Sequence, residues 1–361
     1  MPNRNLATDA CPGVLTVHQA ADGAVARVRV PGGQLSAARF RVVADAAAEL
    51  GDGTIELTSR ANLQVRGLAD GVALGARLAA VGLLPSATHE RVRNIVASPL
   101  TGRDRPDDVR PLVAALDAGL LGDPGLARLP GRFLFAVDDG RGDVAWSGAD
   151  VAILSPDAVL LGGTDSGLRG DPVPLALACA REFLALRTDE WRLAELPDGP
   201  RRIADRVGDP APSRLSGEPV TRGPLGRVDQ VDGRVSLVAG APLGRLDRAQ
   251  AAALAGYDLV ITPWRSVVVV DLPPDRAGPA ADRLRAAGLL LDAGAPLARV
   301  TACTGRPGCA KALADVRADA GPVPGVDLPV HWSGCARRCG RPRGDVLDMV
   351  ATGDGYTRGD R

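Results

Sequence analysis

Four of the six cysteines lie in one short stretch near the C-terminus, and no other feature restricts the chain as strongly. They form two close pairs, Cys303-x5-Cys309 and Cys335-x3-Cys339. Soft thiolates gathered in this way select zinc or an iron–sulfur cluster. Structural zinc sites favour shorter gaps and often include histidine, which the five-residue gap fits poorly. A [4Fe–4S] cube needs four thiolates and tolerates varied spacing. The pattern favours a cube, with a zinc site or unligated cysteines as the alternatives.

The other two cysteines, Cys11 and Cys179, stand apart from this set. Cys11 precedes Pro12-Gly13, a pair typical of turns, so a turn residue is the first interpretation and a ligand role the second. Cys179 lies in Leu175–Leu186, an apolar stretch with helical spacing. A cysteine on such a helix acts as a small apolar filler, and we expect Cys179 to be buried.

Charge and hydropathy exclude some classes of partner. The 361 residues include 43 basic and 43 acidic side chains, so nothing indicates binding to nucleic acid or to an anionic membrane. No apolar run reaches the roughly 18 residues of a membrane-spanning helix. Met1–Ala10 lacks the apolar core of a signal peptide. Because reduced cysteines suit the cytoplasm, we expect a cytoplasmic protein.

One pattern of elements recurs in the two halves of the chain. In the first half, a helix over Ala37–Leu50, capped by Ser36, precedes two strands that are separated by the turn Thr58-Ser59-Arg60-Ala61-Asn62. In the second half, Pro263-Trp264-Arg265 occupies the place of Ser59-Arg60-Ala61. We expect each copy to present one arginine-bearing turn toward the centre of the molecule.

The middle and the end of the chain carry further local expectations. Strands are predicted at Val151–Leu154 and Ala158–Leu161. The next segment, Gly162–Gly167, lacks the spacing of a dinucleotide site, so it is either a plain turn or a loop that offers amides to an anion. Arg201–Arg222 is rich in Pro, Gly, Asp and Arg and is predicted to link the halves. Cys309–Ala318 is predicted to form a helix whose first amides favour an anionic cluster.

Several motifs together resemble one family, the nitrite/sulfite reductase superfamily. They are Thr58-Ser59-Arg60-Ala61-Asn62-Leu63-Gln64, Val92-Arg93-Asn94-Ile95, the duplication and the cysteine set. The resemblance implies an α+β, pseudo-twofold duplicated fold of two ferredoxin-like half-domains and two α/β lobes, built around a tetrapyrrole beside a [4Fe–4S] cluster. It also implies Cys303, Cys309, Cys335 and Cys339 as cluster ligands. By the same resemblance, arginines hold the substrate carboxylates: Arg60, Arg93, Arg132 and Arg265.

The resemblance also divides the chain into five segments. We predict a first ferredoxin-like half-domain at residues 1–85, a tetrapyrrole-binding α/β lobe at 86–200, a linker at 201–222, a second ferredoxin-like half-domain at 223–293 and an iron–sulfur lobe at 294–361.

Within the superfamily, the chain resembles the oxygen-dependent branch that acts on precorrin-3A in cobalamin biosynthesis. The resemblance lies in Ala10-Cys11-Pro12-Gly13 and in Ser333-Gly334-Cys335-Ala336-Arg337-Arg338-Cys339. Reductases of the superfamily place two basic residues after a Leu-Pro turn, whereas this chain has Arg132 followed by Leu134. One cation fewer suits the reduction of sulfite or nitrite poorly. The alternative remains a sirohaem-dependent nitrite or sulfite reductase.

The branch implies particular cofactors and partners. The substrates are precorrin-3A and dioxygen, the ultimate electron donor is NADH, and a reductase or ferredoxin delivers the electrons. The branch also implies a mononuclear non-haem iron, for which His89 and His331 are the candidate ligands and ordinary hydrogen-bonded histidines the alternative. Neither histidine lies in a facial-triad spacing, and the sequence assigns no catalytic residue. Rival classes are a non-catalytic iron–sulfur electron carrier and a zinc-stapled binding protein.

Overall fold

The computed structural model describes residues 11–212 and 214–359 and arranges their strands in four sheets. Met1–Ala10, on which the signal-peptide expectation rests, lies outside the described residues, and so does the first residue of the Ala10-Cys11-Pro12-Gly13 motif. Among the described residues, no helix combines the length and apolarity needed to cross a membrane. The mixture of helices with largely antiparallel sheets confirms the α+β class.

The first half-domain packs two helices against an antiparallel sheet. Its elements are β1 (His18–Ala20), β2 (Gly23–Val28), β3 (Gln34–Leu35), α1 (Ala37–Leu50), β4 (Ile55–Leu57), β5 (Leu63–Leu68) and α2 (Gly71–Ala80). As the sequence predicts, α1 begins at Ser36, whose side chain accepts a hydrogen bond from the amide of Arg39 (3.4 Å). Phe40 and Val43 on its inner face are fully buried, so this face joins the core.

The second lobe is a mixed sheet covered by helices. Its elements are β6 (Ile95–Ala97), α3 (Arg110–Leu121), β7 (Phe135–Asp138), β8 (Val151–Leu154), β9 (Ala158–Leu161), β10 (Thr164–Arg169), α4 (Pro172–Leu186) and α5 (Gly199–Val207). Strands β6, β7 and β8 are parallel neighbours, and β9 and β10 continue the sheet in antiparallel fashion. Strands β8 and β9 have the predicted bounds. The sheet directs the carboxyl ends of β6 and β7 toward one edge, where Ser98 and Asp139 follow them.

The second half-domain repeats the order of the first. Its elements are β11 (Gly226–Asp229), β12 (Val235–Gly240), β13 (Arg245–Leu246), α6 (Arg248–Leu254), β14 (Leu259–Ile261), β15 (Ser266–Leu272) and α7 (Pro274–Ala286). Helix α6 begins with a capping box: the Asp247 side chain accepts from the amide of Gln250, whose side chain accepts from the amide of Asp247. The predicted duplication is therefore confirmed element by element.

The two half-domains exchange one short strand each. Strand β13 of the second half pairs with β4 of the first, while β3 of the first half pairs with β14 of the second. Each exchanged strand follows a single 3-10 turn, Pro31–Gly33 or Pro242–Gly244, and the last glycine of each turn has φ near +72°. Gly33 can take this left-handed conformation, and a Cβ there would lie 2.1 Å from the carbonyl oxygen of Ile261. The exchange makes the two halves one interlocked unit.

The fourth lobe carries the four clustered cysteines. Its elements are β16 (Val300–Ala302), α8 (Val316–Asp319), β17 (Val330–Ser333), β18 (Leu347–Ala351) and β19 (Tyr356–Gly359). Strands β16, β17 and β18 run parallel, and β19 closes the sheet in antiparallel fashion.

Two local expectations were wrong, and a third, the plain turn at Gly162–Gly167, holds only for its first two residues. The segment Gly162–Gly167 is not a loop: Gly162 and Gly163, both with positive φ, make a tight turn, and β10 then pairs with β9. The linker is shorter than predicted, because α5 occupies its first part and buries Ile203 and Ala204. Cys309–Ala318 is not a helix. Its amides instead bond to distant carbonyls, such as the amide of Leu313 to Gly334 (2.8 Å), and helix appears only in α8.

Candidate functional site

A cavity of about 340 Å³ lies where the lobes meet. Ser59 and Arg60 come from the first half-domain, and Pro263–Ser266 from the second. The second lobe contributes the stretch around Val144, and the cysteine lobe contributes the segments beside β16 and before β18. Cavities of this size hold small-molecule ligands. Because each lobe supplies part of the wall, the assembled fold creates the cavity.

Positive charge dominates the wall. Seven arginines line the cavity, against two aspartates, Asp143 and Asp345. The arginines are Arg60, Arg192, Arg222, Arg265, Arg299, Arg341 and Arg343. Three of them pair with carboxylates of their own lobes: Arg192 with Asp150, Arg299 with Asp327 and Arg341 with Asp348. Among the described residues, the other four form no ion pair. Such a wall favours a ligand that carries several carboxylates.

Arg60 is held by a turn that the sequence predicts. The hydroxyl of Thr58 accepts hydrogen bonds from the amides of Arg60 (3.3 Å) and Asn62 (3.1 Å), which fixes the backbone. Nη1 of Arg60 donates to the carbonyl of Gly131 (3.4 Å). Burial, and then the charge of Arg192, lower the pKa of Arg60 to about 10. The charged form of a guanidinium that is desolvated next to another guanidinium is less stable than in water, and a bound anionic ligand would stabilise it.

Arg265 occupies the corresponding turn of the second half-domain. The hydroxyl of Thr262 accepts from the amides of Trp264 and Ser266, both at 3.2 Å, as Thr58 does in the first turn. Arg265 has φ +57°, and Ala61, at the matching position, has φ +53°. Burial lowers the pKa of Arg265. Its Nη2 donates to the carbonyl of Gly340 (2.8 Å) in the cysteine lobe. The predicted correspondence of the two turns is confirmed.

The structure does not bring the other two predicted substrate arginines to this cavity. Arg93 forms a bidentate pair with Asp117 of α3, with both bonds at 2.7 Å, and lines a separate pocket of about 220 Å³. Arg132 is exposed and stacks on the ring of Trp191, with 4.8 Å between its guanidinium carbon and the ring centroid. Leu134, two residues on, does line the cavity. The segment before β7 therefore presents an apolar side chain to the cavity and no cation.

The linker forms part of the wall. Pro219–Gly223 line the cavity, and the indole of Trp264 donates to the carbonyl of Val220 (3.0 Å). A Cβ on Gly223 would lie 2.3 Å from the ring of Trp264, so only glycine permits this close contact. The segment that the sequence describes as a plain connection is thus seated on the second turn.

Parallel strands bring the two cysteine pairs together. Cys303 directly follows β16, and Cys335 comes two residues after β17, its parallel neighbour. The amide of Cys303 donates to the carbonyl of Trp332 (2.9 Å), and the amide of Gly334 donates to the Cys303 sulfur (3.2 Å). Cys309 is placed by a tight turn, in which its amide donates to the carbonyl of Gly305 (2.8 Å).

The other three clustered thiols lie within electrostatic reach of Cys339. Burial raises the pKa of Cys339; Arg337 opposes this shift, and Cys303, Cys335 and Cys309 add to it. Across the described ranges, no three His, Cys, Asp or Glu side chains lie close enough to share a single metal ion. Four soft thiols that are grouped but spread beyond one ion fit a cube better than a zinc site.

The two remaining cysteines differ from this group. Cys179 is fully buried on α4, as predicted, and burial raises the pKa of its thiol to about 12, so it acts as a core residue. Cys11 lies near cationic side chains, since its charge affects the pKa values of Arg29 and Arg60. Its ligand role stays a prediction.

The two candidate iron ligands have different surroundings. Both ring nitrogens of His89 are hydrogen-bonded: Nδ1 to the hydroxyls of Ser86 and Thr88, and Nε2 to the carbonyl of Asp123 (3.0 Å). His331 is fully buried on β17, and its Nδ1 bonds to the hydroxyl of Thr301 (2.8 Å). Burial, and then Arg265, lower its pKa to about 4, and its Nε2 has no partner among the described residues. No carboxylate and second histidine complete a facial triad in the described part of the chain, so these residues do not fit a mononuclear iron.

A buried charge network joins the lobes behind the cavity. Glu56 of β4 lies within 2.6 Å of Arg245 on β13, 3.6 Å of Arg317 on α8 and 3.8 Å of Arg66 on β5. Burial alone would raise the pKa of Glu56. The charges of Arg245, Arg66 and Arg317 outweigh burial, so the pKa of Glu56 is lowered. Arg66 also donates to the carbonyl of Gly308 (3.1 Å), between the first two clustered cysteines. Glu56 therefore connects both half-domains to the cysteine lobe.

Comparison with known proteins defines the class. The family model of the nitrite/sulfite reductase ferredoxin-like half domain matches residues 18–74, from β1 into α2. The solved structure of Mycobacterium tuberculosis NirA protein superposes with a TM-score of 0.69 at 22% identity, covering 88% of this chain and 69% of that one. Sulfite reductase (ferredoxin) 2 of Mycolicibacterium paratuberculosis is 26% identical, covering 87% of this chain and 67% of that protein. The protein is an enzyme of the nitrite/sulfite reductase superfamily, whose members use a [4Fe–4S] cluster and sirohaem.

One further relative narrows the class. A precorrin-3B synthase from a Sinorhizobium species is 30% identical over 380 aligned positions, which cover 96% of this chain and 81% of that protein. The chain belongs to the precorrin-3B synthase family of this superfamily.

Proposed function

We propose that the protein is an oxygen-dependent precorrin-3B synthase of aerobic cobalamin biosynthesis. One atom of dioxygen enters precorrin-3A as a hydroxyl group, and a ring acetate closes to a lactone. The second oxygen atom leaves as water, with two electrons that come ultimately from NADH. The 30% identity to the precorrin-3B synthase of a Sinorhizobium species supports this proposal.

The observation that carries the proposal is the composition of the cavity wall. Arg60, Arg265, Arg222 and Arg343 line the wall without carboxylate partners among the described residues and come from different lobes and from the linker. Dispersed cations match the carboxylates around the rim of a large macrocycle. Reduction of sulfite or nitrite instead requires cations that converge on one small anion. Leu134 lines the wall where a second cation would stand, while Arg132 lies outside it.

Cys303, Cys309, Cys335 and Cys339 would hold a [4Fe–4S] cluster. Such a cluster supplies single electrons when bound. The arginines of the cavity would bind and orient the tetrapyrrole next to this lobe, whose β16 contributes Val300 and Thr301 to the wall. A reductase or ferredoxin is the proposed electron-donating partner. We assign no step to a mononuclear iron, because the described residues do not fit one.

Substitution of a clustered cysteine tests the cofactor. In Cys303→Ser, one of four ligands is lost, so we expect most of the iron and sulfide, and all turnover, to disappear. Cys179→Ser is the matched control and should keep both, since Cys179 lies in the core of the second lobe. Iron and acid-labile sulfide analysis of anaerobically purified protein gives the result. Full cluster content in Cys303→Ser would overturn the ligand assignment.

Labelled dioxygen tests the reaction. Purified protein that receives precorrin-3A, electrons and 18O-labelled dioxygen should form a product with one labelled oxygen atom, as mass spectrometry would detect. With nitrite or sulfite it should form no ammonia or sulfide. Unlabelled product, or steady formation of ammonia or sulfide, would move the protein to the sirohaem-dependent reductases, which its 26% identity to a sulfite reductase makes the second candidate.

A further inference from the structure

Among the described residues, one acidic side chain of the cationic wall, Asp143, has only a long ion pair, with Arg141 at 3.8 Å. Asp143 lines the cavity with only 14% of its side chain exposed, whereas Asp345, the other acid of the wall, is exposed. An ionised carboxylate at this position would repel a substrate that carries carboxylates. A protonated one would instead donate a hydrogen bond.

Ser98 fixes the geometry of the Asp143 carboxyl group. The oxygen of Ser98 accepts a hydrogen bond from the amide of Asp139 (3.2 Å), and its hydroxyl donates to Oδ1 of Asp143 (2.6 Å). The other oxygen, Oδ2, has its closest cationic neighbour, Nε of Arg141, at 3.8 Å, beyond hydrogen-bond distance. Among the described residues Oδ2 has no hydrogen-bond partner. A proton on Oδ2 would therefore be free to bond with a ligand.

The carboxylates around Asp143 have closer partners than Asp143 has. Asp138 accepts four backbone hydrogen bonds. Asp139 and Asp104 share the guanidinium of Arg141, each through two or more short bonds. Arg141 thus pairs with several carboxylates, and its contact with Asp143 is the longest of them, at 3.8 Å.

Burial is the main cause of the altered titration of Asp143. It raises the pKa of Asp143 to about 7; Ser98 and Arg141 oppose the shift, and the charges of Asp138 and Asp139 add to it. Arg60 across the cavity stays charged in this range, since its pKa, although lowered, is about 10.

We propose that Asp143 is a neutral carboxylic acid on the cavity wall that donates a hydrogen bond from Oδ2 to a carboxylate of the bound tetrapyrrole. The proton stays on Asp143, because an ordinary carboxylate is the weaker base of the two. The role rests on the proposed function, because it assumes a tetrapyrrole in this cavity.

The first experiment needs no substrate. Difference infrared spectra of wild-type protein against Asp143→Asn, recorded from pH 5 to 9, should show a carboxylic C=O band that is present below and lost above about pH 7. The control, Asp209→Asn, removes the same charge from an exposed position outside the cavity wall and should leave the band in place. Absence of a titrating band that depends on Asp143 would overturn the proposal.

The second experiment measures binding of precorrin-3A and, separately, of sirohaem by fluorescence quenching over the same pH range. Because ionisation removes the donor and adds a repelling charge, wild-type affinity should fall about fivefold between pH 7 and 8. Asp143→Asn should show no such fall, while Asp209→Asn should behave like wild type. An unchanged pH profile in Asp143→Asn would contradict a role in the cavity.

The two ligands separate the two hypotheses. If only sirohaem binds, the proposed function fails, and the difference between the two variants with sirohaem still decides the role of Asp143. Binding of neither ligand would overturn both proposals.

Discussion

The turns Thr58–Leu63 and Thr262–Val267 share a backbone but not their side chains. In both turns a threonine hydroxyl accepts two amides, and a non-glycine residue, Ala61 or Arg265, takes a left-handed conformation. The first turn offers Arg60 to the cavity from the position that Trp264 holds in the second. The threonine and the left-handed residue thus preserve the fold of the repeat, while the remaining positions have diverged in function.

The two half-domains also differ in what joins them. The exchange of β3 and β13 is nearly symmetric, but Glu56 has no counterpart in the second half. In the first sheet, Gln64 and Arg245 bond to Glu56. In the second sheet, the apolar Val260 occupies the matching position. A single buried acid therefore compensates several arginines on one side of the pseudo-twofold axis.

The largest predicted effect is on this asymmetric junction. Glu56→Gln leaves Arg66, Arg245 and Arg317 without their shared carboxylate, and we expect it to lower the free energy of unfolding by about 3–5 kcal/mol. Urea denaturation measures this quantity. Glu49→Gln makes the same chemical change at an exposed ion pair with Arg77 and should cost less than about 1 kcal/mol.

The stabilising effect of Glu56 should depend on pH. Because the pKa of Glu56 is lowered in the folded protein, its contribution is present above the ordinary glutamate pKa of roughly 4.3 and is lost as the pH falls through the folded value. The difference between wild type and Glu56→Gln should therefore shrink in acid. A difference that stays constant down to about pH 3 would show that the charge is not its cause.

Arg60→Ala should have the next largest effect, on binding and not on stability. Loss of a charge-assisted contact with a substrate carboxylate should cost about 1.5–3 kcal/mol, a roughly 10- to 150-fold weaker affinity for precorrin-3A. Because the pKa of about 10 leaves Arg60 charged at neutral pH, the loss should be independent of pH from about 6 to 8. Unchanged affinity in a folded variant would remove Arg60 from the site.

A smaller effect is expected at the second turn. Arg265→Gly removes the guanidinium while it keeps the left-handed conformation, so the fold should survive and the affinity for precorrin-3A should fall about tenfold. Ala61→Gly makes the matched backbone change without removing a charge. By relieving the left-handed alanine it should alter stability by less than about 1 kcal/mol and leave affinity unchanged. Equal losses of affinity in both variants would assign the effect to the backbone.

Much of the site was predictable because it depends on local sequence. The helix cap at Ser36 and the paired turns are short-range patterns, and both are confirmed. The cysteine pairs are short-range patterns too, and their role as cluster ligands stays a prediction. The strand β10 was missed because Gly167, with φ +83°, interrupts the pairing of Asp165 and Leu168 and makes the segment resemble a loop. The helix after Cys309 was wrong because amides there bond to partners that are distant in sequence.

The remaining site residues depend on tertiary contacts. Arg192, Arg341 and Arg343 reach the cavity from separate lobes, and no local motif marks them among 43 basic residues. Arg192 directly precedes a short 3-10 turn, and Arg341 and Arg343 follow the last cysteine. These positions were the available sequence signal for a role in the site. Arg93 lies in a conspicuous motif, yet its side chain faces α3, where Asp117 meets it. The burial of Asp143 likewise follows from a lobe packed against the half-domains.

The most direct test of the account compares two pairs of arginines in equilibrium titrations with precorrin-3A. Arg60→Ala/Arg265→Gly removes two charges from the cavity, while Arg128→Ala/Arg132→Ala removes two exposed charges from the second lobe. We predict a loss of affinity of at least roughly 100-fold for the cavity pair and of less than about threefold for the exposed pair. Equal losses for both pairs would mean that general charge attraction, and not this cavity, binds the substrate, and would contradict the central claim.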